Sequence, residues 1–242
     1  VEYYATIFAV DESPLQEGLI WVGSDDGLIH LTKDGGATWE NVTPKKMPDW
    51  MMINSIDASS FDSGTAYIAG TRYKLGDFTP YLYVTDDYGK NWKLITNGIK
   101  DEHFTRVLRS DKVNKNILYA GTETGMYISY DRGNSWNEFQ KNLPIVPITD
   151  LTIKDNTLIV ATQGRSKWMI DDLTVFHQLT PSTDQMKLYK PKDSYRLGGA
   201  GGRKSLTAGT NLPNGAIIHY FIPNYDKEND QVSLSIHSAD GT

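Results

Sequence analysis

The sequence predicts an all-β fold built from the four-stranded blades of a β-propeller. One eight-residue phrase occurs three times, at residues 32–39, 85–92 and 129–136, and its final tryptophans are 53 and 44 residues apart. These spacings match the length of one four-stranded propeller blade. The apolar runs between the phrases are short, evenly spaced and separated by turn residues, as the strands of an all-β propeller require.

The repeated phrase has the pattern Ser/Thr-x-Asp-x-Gly-x-(Ser/Thr/Asn)-Trp and lies between two apolar runs, which predicts a hairpin turn. In such a turn the aspartate accepts hydrogen bonds from nearby backbone N–H groups, the glycine adopts a positive φ, and the tryptophan packs between neighbouring blades. The phrase resembles the Asp-box, also called the BNR repeat. Its structural residues in this chain are Asp34, Gly36, Trp39, Asp87, Gly89, Trp92, Asp131, Gly133 and Trp136. We expect all three tryptophans to be largely buried.

Four blade-like units can be placed along the chain. The first covers residues 3–43, and three more follow at similar spacing up to Ile170. The fourth unit has an eroded box, Asp171-Asp172, with no tryptophan after it. Propellers have about 4 to 8 blades, so four blades are able to close a ring. The length of these blades is typical of wider rings, and we therefore expect an open arc whose missing blades lie upstream of Val1.

The composition changes after the blades, and we divide the chain into three parts. Residues 1–180 are predicted to hold the Asp-box blades, 181–212 a Gly-rich linker, and 213–242 a truncated C-terminal β-sandwich module. Apolar and polar residues alternate from Val232, which predicts a strand, and the Asp-Gly turn that follows predicts a second strand that pairs with it. No returning strand follows, so we expect a fragment of a longer polypeptide, with the remainder of that polypeptide as one partner.

The composition also argues against several classes of function. The net charge is −6, with 24 basic and 30 acidic residues, so we expect no nucleic-acid partner. The chain has no cysteine, and its five histidines lack metal-ligand spacing, so we expect no metal ion and no cofactor. No stretch approaches the roughly 18 consecutive apolar residues of a transmembrane helix, so we expect no membrane span.

Several segments outside the boxes resemble a family of large secreted bacterial proteins, usually described as BNR-repeat or sortilin/Vps10-like. These segments are 23–27, 77–83, 119–125, 142–144, 161–165 and 168–173. The resemblance implies a many-bladed propeller followed by a C-terminal β-sandwich, in a secreted, periplasmic or cell-surface protein. Many members are labelled glycoside hydrolases or exo-sialidases. Gln163 departs from the family, which usually carries histidine before Gly-Arg, and this departure weakens any role for that position.

Candidate site residues lie in the loops between second and third strands and in the blade connections, which open at the end opposite the boxes. Loops on a rigid scaffold commonly carry function. The candidates for catalysis are Asp25, Asp26 and Glu123, and those for ligand binding are Arg72, Arg165 and Trp50. Glycoside hydrolysis needs two carboxyl groups about 5 to 9.5 Å apart, which these loops are able to supply. The alternative is that Asp25 and Asp26 bind their own backbone in a turn.

Arginines in successive blades raise the hypothesis of a sialidase site. Sialidases clamp a carboxylate with three arginines, and Arg72, Arg106 and Arg165 fall in consecutive blades. Arg106 is predicted in a first strand and Arg72 in a loop, however, so the three positions are poorly equivalent. The Tyr/Glu nucleophile pair and the Arg-Ile-Pro signature of sialidases are absent from this stretch.

The sequence therefore favours a non-catalytic or incompletely catalytic propeller module that binds a protein, a peptide or a glycan. One alternative is part of a glycoside hydrolase, sialidase-like or glucanase-like, whose catalytic set is completed upstream. Another alternative is a structural subunit of a surface or secretion assembly. For this chain alone we expect no glycosidase activity, because its motifs do not assemble a complete nucleophile and acid set.

Overall fold

The computed structural model describes residues 5–179, 184–194 and 215–238. These residues fall into two units, which divide between residues 173 and 174. The first unit contains the boxes, and each of its sheets is formed by strands that are consecutive in the sequence. This arrangement follows from the sequence, because short apolar runs joined by Gly- and Asp-rich turns pair with their immediate neighbours.

The first three sheets have four antiparallel strands each, and the fourth sheet has three. We refer to these sheets as blades 1 to 4. Their strands are β1 (Ile7–Glu12), β2 (Ile20–Ser24), β3 (Ile29–Thr32) and β4 (Glu40–Asn41); β5 (Met52–Ala58), β6 (Ala66–Arg72), β7 (Asp77–Thr85) and β8 (Lys93–Leu94); β9 (Thr105–Ser110), β10 (Leu118–Thr122), β11 (Gly125–Ser129) and β12 (Asn137–Glu138); and β13 (Ile148–Lys154), β14 (Thr157–Thr162) and β15 (Lys167–Ile170). The prediction of consecutive propeller blades is confirmed.

Neighbouring blades pack through their first strands and their apolar faces. Strand β1 lies against β5, β5 against β9, and β9 against β13. One apolar core joins blades 1 and 2 and contains Trp21, Ile53 and Tyr83, and a second joins blades 2 and 3 and contains Ile95 and Tyr127. Among the described strands, no packing of similar extent joins β1 to β13, so the four blades form an open arc and not a closed ring.

The three boxes fold into closely similar turns at one end of the blades, which we call the box end. Each box aspartate accepts a hydrogen bond from the backbone N–H four residues later, at 2.9 Å for Asp34 and Asp87 and 2.8 Å for Asp131. The hydroxyl two residues before each aspartate accepts the N–H of the box glycine at 2.8–2.9 Å. All three box glycines have positive φ values, from 79° to 98°, which explains the choice of glycine.

These hydrogen bonds favour the ionised form of the box aspartates. Bonds from the side chain and backbone of Thr38 lower the pKa of Asp34 to about 2. Bonds from Asn91 lower the pKa of Asp87 in the same way. Burial raises the pKa of Asp131, but bonds from Ser135 outweigh it and the net effect is a lowered pKa. Since each carboxylate is occupied by its own turn, the boxes stabilise the fold and are poorly suited to proton transfer.

The box tryptophans pack against the preceding blade. Trp136 is 4% exposed, and its indole N–H donates to the backbone oxygen of Ile95 in blade 2 at 2.6 Å. Trp92 is half-buried and donates to the backbone oxygen of Val42 in blade 1 at 2.7 Å. Trp39 of blade 1 is 47% exposed, so the prediction of three largely buried tryptophans is wrong for this residue. The reason is that no blade among the described residues precedes blade 1 to cover the ring.

The second unit starts with a five-residue helix, α1 (Thr174–Gln178), and contains a small antiparallel sheet of β16 (Lys187–Leu188) and β17 (Tyr220–Phe221). No helix in the described part of the chain is long and apolar enough to cross a membrane. The prediction of a strand from Val232 is wrong over residues 232–238, where no strand forms. None of the described sheets includes this segment, so it has no strand beside it to form a ladder of backbone hydrogen bonds. Residues 195–214 of the predicted linker and module, and the Asp-Gly turn at 240–241, lie outside the described residues, so the β-sandwich remains a prediction.

Candidate functional site

The loops between second and third strands open at the end of the blades opposite the boxes, which we call the loop end. The blade connections reach the same end, as residues 42–51 between β4 and β5 do. The predicted site residues occupy these segments: Asp25 and Asp26 lie between β2 and β3, Trp50 before β5, Arg72 at the end of β6, Glu123 between β10 and β11, and Arg165 between β14 and β15. Their contacts show which of them belong together.

Asp25 and Asp26 belong to a turn and do not form an open pair of carboxylates. Asp25 Oδ1 accepts the backbone N–H of Thr6 at 2.9 Å, and the Asp25 N–H donates to the Thr6 carbonyl at 3.1 Å. Asp26 accepts a hydrogen bond from the Ser24 hydroxyl. Gly27 completes the turn with a φ of 96°. Both carboxylates therefore bind local groups, as the turn alternative expects.

Arg72 forms an ion pair that fixes the long loop of blade 2. Its Nη1 donates to Asp77 Oδ2 at 2.6 Å, across the 3₁₀ turn Tyr73–Leu75. Its Nε donates to the backbone oxygen of Asp49 at 3.0 Å, next to Trp50. Arg72 therefore links the loop of blade 2 to the connection that precedes it.

Asp77 holds a stable negative charge at the base of this loop. Burial raises its pKa, but hydrogen bonds from Thr79, Tyr81 and Arg72 outweigh burial and lower the pKa to about 2. The Tyr81 hydroxyl donates to Asp77 Oδ2 at 2.8 Å. An ionised carboxylate with several donors orders a loop, and it offers no proton to a substrate.

A second ion pair, between Arg106 and Glu123, connects blade 3 to the same surface. Arg106 Nε donates to Glu123 Oε2 at 2.6 Å. The Arg106 guanidinium carbon also lies 5.3 Å from the ring centre of Phe104 and 5.7 Å from that of Tyr73, within cation–π distance. The rings of Tyr73 and Phe104 stack with centres 5.3 Å apart and 15° between their planes. These contacts bring the loop of blade 2 onto the first strand of blade 3.

We refer to the side chains joined by these contacts, with their chain neighbours, as the loop-end cluster. Its members are Trp50, Arg72, Tyr73, Leu75, Asp77, Phe78, Phe104, Arg106 and Glu123. Three of its apolar side chains face solvent, since Trp50 is 55% exposed, Leu75 58% and Phe78 46%. Aromatic and arginine side chains are enriched at the centres of protein–protein interfaces. The cluster therefore has the composition of a recognition surface.

Arg165 lies apart from this cluster. It is exposed and donates to the backbone oxygen of its neighbour Gly164 at 3.1 Å. Over the described residues, no hydrogen bond or ion pair joins Arg165 to Arg72, Arg106 or Glu123. Arg72 and Arg106 are each paired with a carboxylate of this chain, so a sialidase-like clamp of three free arginines is not assembled.

Sequence reasoning named Trp50 but did not single out the other three aromatic residues of the cluster. Tyr73, Phe78 and Phe104 come together because the loop of blade 2 folds over the connection to blade 3, and Phe78 lies 5.9 Å from Phe104 between ring centres. The sequence feature that points to these residues is the unusual length of the loop after Arg72, which has aromatic residues on both sides of Gly76.

Three surface cavities of about 250–320 Å³ lie elsewhere on the blades. The first lies near Tyr67, Asp86 and Arg132, the second near His103, Tyr127 and Glu138, and the third near Ile7, Asp26, Leu28 and Trp39. Trp50, Arg72, Glu123 and Arg165 line none of the three. Across the described ranges, no group of three or more His, Cys, Asp or Glu side chains is placed to hold a metal ion.

Comparisons with known proteins agree with the arc of blades. A family model described as Sortilin, neurotensin receptor 3 (Sortilin-Vps10) matches residues 80–195, just under half of the chain. The chain is similar to the structure of YCF48 bound to D1 peptide, with 21% identity and a TM-score of 0.53 over 69% of this chain and 52% of that one. It is similar to YCF48 from Cyanidioschyzon merolae, with 16% identity and a TM-score of 0.51 over 71% and 55%. The chain is a β-propeller protein.

A third similar structure is the GH74 xyloglucanase from Xanthomonas campestris, with 16% identity and a TM-score of 0.52 over 68% of this chain and 28% of that one. At sequence identities this low, similarity between structures shows only that the fold is shared. Together with the family match they are consistent with a Vps10/BNR-like propeller, as the sequence resemblance implied. This propeller chain spans 28–55% of the length of the three structures. A comparison with curated proteins gives no match.

Proposed function

We propose that this part of the propeller is a non-catalytic module that binds a protein or an extended peptide at the loop-end cluster. The observation that supports it best is the exposure of Trp50, Leu75 and Phe78 beside two ion pairs that are satisfied within the chain. Side chains held by their own partners form a preorganised surface, which reduces the entropy cost of binding. Apolar groups that remain in solvent on such a surface gain most from contact with a partner.

The carboxylates of the loop end favour binding over hydrolysis. A glycosidase needs one carboxyl group that donates a proton and a second that acts as base or nucleophile. Glu123 is paired with Arg106, while Asp25 and Asp26 are engaged in their own turn. A carboxylate that is already engaged by groups of its own chain is poorly placed to act as a free general acid or base.

The mixture of side chains favours a peptide over a glycan. Sugars stack on flat aromatic faces, which Trp50 offers, whereas Leu75 and Phe78 provide a rounded apolar surface that suits aliphatic and aromatic side chains. YCF48, a protein of the same fold, has been seen with D1 peptide bound. That ligand belongs to YCF48, and it supports the proposal only as a precedent for the fold.

Two alternatives compete with this proposal. The likeness to GH74 enzymes favours part of a glycoside hydrolase, with Asp25, Asp26 or Glu123 contributing to a catalytic set completed elsewhere in a longer polypeptide. The other is a structural subunit of a surface or secretion assembly. In each case we propose a secreted, periplasmic or cell-surface location, which the match to the Sortilin-Vps10 model supports.

The proposal is tested by selecting ligands from a phage-displayed random peptide library on the purified chain, with a glycan array in parallel. Phe78→Ala and Trp50→Ala remove exposed rings of the loop end. Phe61→Ala and Trp39→Ala are matched controls, since these rings are 41% and 47% exposed at the box end. We expect selected peptides to lose at least about tenfold in affinity, or about 1.4 kcal/mol, with Phe78→Ala and to be unchanged by Phe61→Ala.

Three outcomes would overturn the proposal. Peptides whose affinity is insensitive to both loop-end variants would place the binding surface elsewhere. Glycan binding that depends on Trp50, without peptide binding, would favour a glycan module. Turnover of sialosides or β-glucans that disappears with Asp26→Asn or Glu123→Gln would favour the hydrolase.

A further inference from the structure

A cavity of about 310 Å³ lies at the box end, where blades 2 and 3 meet. This volume is at the lower end of the range for ligand pockets, about 300–1,000 Å³. Its lining residues come from the segment that joins β5 to β6, from the turn between β9 and β10, and from the second and third boxes. The box residues that line it are not the aspartates or the glycines that form the turns. The cavity therefore uses positions that the stability of the box does not require.

The two box positions concerned make different contacts at the two blade junctions. Between blades 1 and 2, Lys33 Nζ lies 4.4 Å from the ring centre of Tyr88. Between blades 2 and 3, the same two positions hold Asp86 and Arg132, and Arg132 Nη2 donates to Asp86 Oδ1 at 2.5 Å. Asp86 and Arg132 line the cavity, whereas Lys33 and Tyr88 line none of the three cavities described above. The cavity thus accompanies the ion pair and is not a general feature of the repeat.

Tyr67 brings a buried hydroxyl to this cavity. It is 2% exposed, and it has the same register position in β6 as Tyr119 has in β10. Arg132 donates a hydrogen bond to the Tyr67 oxygen, and burial raises the pKa of Tyr67, so the hydroxyl keeps its hydrogen. Tyr119 donates to Asp111 Oδ2 at 3.5 Å, but within the described part of the chain the Tyr67 hydroxyl donates to no group. A buried donor without an acceptor is costly, and a ligand in the cavity can accept from it.

The other polar groups of the cavity retain both donors and acceptors. Asp86 Oδ1 accepts from the Thr65 hydroxyl at 2.8 Å and from Arg132, which leaves its Oδ2 available. Asp62 likewise uses only Oδ1, for a backbone N–H of its own turn. Lys115 is exposed and takes part in none of the ion pairs among the described residues. Two carboxylates and two cations give the lining no net charge.

Such a lining favours a neutral ligand with several hydroxyl groups. A lone carboxylate or ammonium would be attracted by one pair of these side chains and repelled by the other, and its desolvation would not be repaid. A hydroxyl group donates one hydrogen bond and accepts two, so it suits every polar group of the cavity. Phe61 adds an aromatic ring that is 41% exposed, on which the apolar face of a sugar ring can stack.

We propose that this cavity binds a single neutral sugar residue, with its ring against Phe61. The Tyr67 hydroxyl donates to a sugar oxygen, Asp86 Oδ2 accepts from a sugar hydroxyl, and Lys115 donates at the mouth of the cavity. The inference does not depend on the proposed function, because it uses no side chain of the loop-end cluster. The chain would then recognise two kinds of ligand at its two ends.

Saturation-transfer difference NMR on the purified chain tests the proposal, with glucose, galactose, mannose, xylose and N-acetylglucosamine as probes. We expect at least one of them to bind in a saturable manner with a Kd on the order of 1–10 mM, as is usual for so few non-hydrogen atoms. A disaccharide with the same residue at its non-reducing end separates two sources of the ligand. Retained affinity supports the terminus of a glycan, and lost affinity supports the free sugar.

Three variants locate the binding. Phe61→Ala and Lys115→Met change exposed side chains and should leave the fold intact, which circular dichroism checks, and Tyr67→Phe removes only a hydroxyl. We expect each to weaken sugar binding at least about fivefold, the usual effect of losing one such contact. Tyr119→Phe is the matched control for Tyr67→Phe. Lys154→Met is the control for Lys115→Met, since Lys154 is exposed at the end of β13 and lines none of the three cavities.

Four results would overturn the inference. The first is that none of the neutral sugars binds in a saturable manner. The second is binding of free amino acids or carboxylates alone, weakened by Lys115→Met, which would assign the cavity to a charged ligand. The third is sugar binding that is lost with Trp50→Ala and retained with Phe61→Ala, which would place the sugar at the loop end. The fourth is an equal loss in the tyrosine variant and its control, which would mean that the hydroxyl acts only through the fold.

Discussion

The two ends of the blades differ in how much of their sequence repeats. At the box end, Asp34, Asp87 and Asp131 make the same hydrogen bonds in three blades. At the loop end every blade differs, from the turn of blade 1 to the 3₁₀ segment Tyr73–Leu75 of blade 2 and the ion pair of Glu123 in blade 3. The repeated end stabilises the fold, and the variable end carries the candidate site. Substitutions at the two ends should therefore separate stability from binding.

The largest expected effect is at the buried box tryptophan of blade 3. Trp136→Ala removes a ring that is 4% exposed and leaves the carbonyl of Ile95 without its donor. We expect the free energy of unfolding to fall by about 3–5 kcal/mol, as for other large aromatic residues in cores. Urea denaturation followed by circular dichroism measures this change. A loss below about 1 kcal/mol would contradict the role of this ring between blades.

The next effect is at the aspartate of the same box. Asp131→Ala removes the acceptor for the backbone N–H and the hydroxyl of Ser135 and for the hydroxyl of Ser129. We expect the free energy of unfolding to fall by about 1–2 kcal/mol, because the freed donors regain water only in part. Equilibrium unfolding in urea measures it, and an unchanged midpoint would show that the turn holds without its carboxylate.

The box aspartates also predict how stability depends on pH. The pKa of Asp34 is about 2 in the folded chain, and those of Asp87 and Asp131 are also lowered. An unfolded aspartate titrates near 3.9, so the folded state binds fewer protons and the stabilisation is present above about pH 4. It is lost as the pH falls through the folded pKa towards about 2. Calorimetric melting temperatures between pH 5 and pH 2 test this, and a melting temperature that rises on acidification would contradict it.

The smallest expected effect is at the first box. Trp39→Ala removes an exposed ring that contacts no preceding blade among the described residues. We expect a change in the free energy of unfolding within about 0.5 kcal/mol, as is usual for surface substitutions. Because the two box turns are equivalent, the difference between the losses caused by Trp39→Ala and Trp136→Ala measures how much packing against the preceding blade contributes to the free energy of unfolding. Equal losses in the two variants would mean that Trp39 is buried in solution.

The repeated end was predictable from the sequence because its interactions are local. Asp34 and Thr38 are four residues apart, so their contact can be inferred from the spacing alone. The exposure of Trp39 was not predictable, because it depends on which blade lies beside it. Likewise the strand expected from Val232 has the right alternation but no neighbouring strand in the described part of the chain, and alternation alone does not form a sheet.

The candidate site was predictable only in part. Arg72, Glu123 and Trp50 were correctly assigned to the loop end, since loop positions follow from the order of strands. Their partners were not found, because Arg106 meets Glu123 and Tyr73 only when blades 2 and 3 pack together. Asp25 and Asp26 illustrate the opposite case. Their contacts are mostly with the turn to which they belong, and the sequence analysis already gave such a turn as the alternative to a catalytic pair.

The most direct test of the account is to follow the tryptophan indole N–H signals by ¹H–¹⁵N NMR while a library-selected peptide is added. The chain has six tryptophans, with Trp50 at the loop end and Trp39, Trp92 and Trp136 at the box end. We predict that the Trp50 signal shifts in a saturable manner while the three box signals remain in place. Shifts confined to the box tryptophans, with Trp50 unchanged, would contradict the division between a structural end and a binding end.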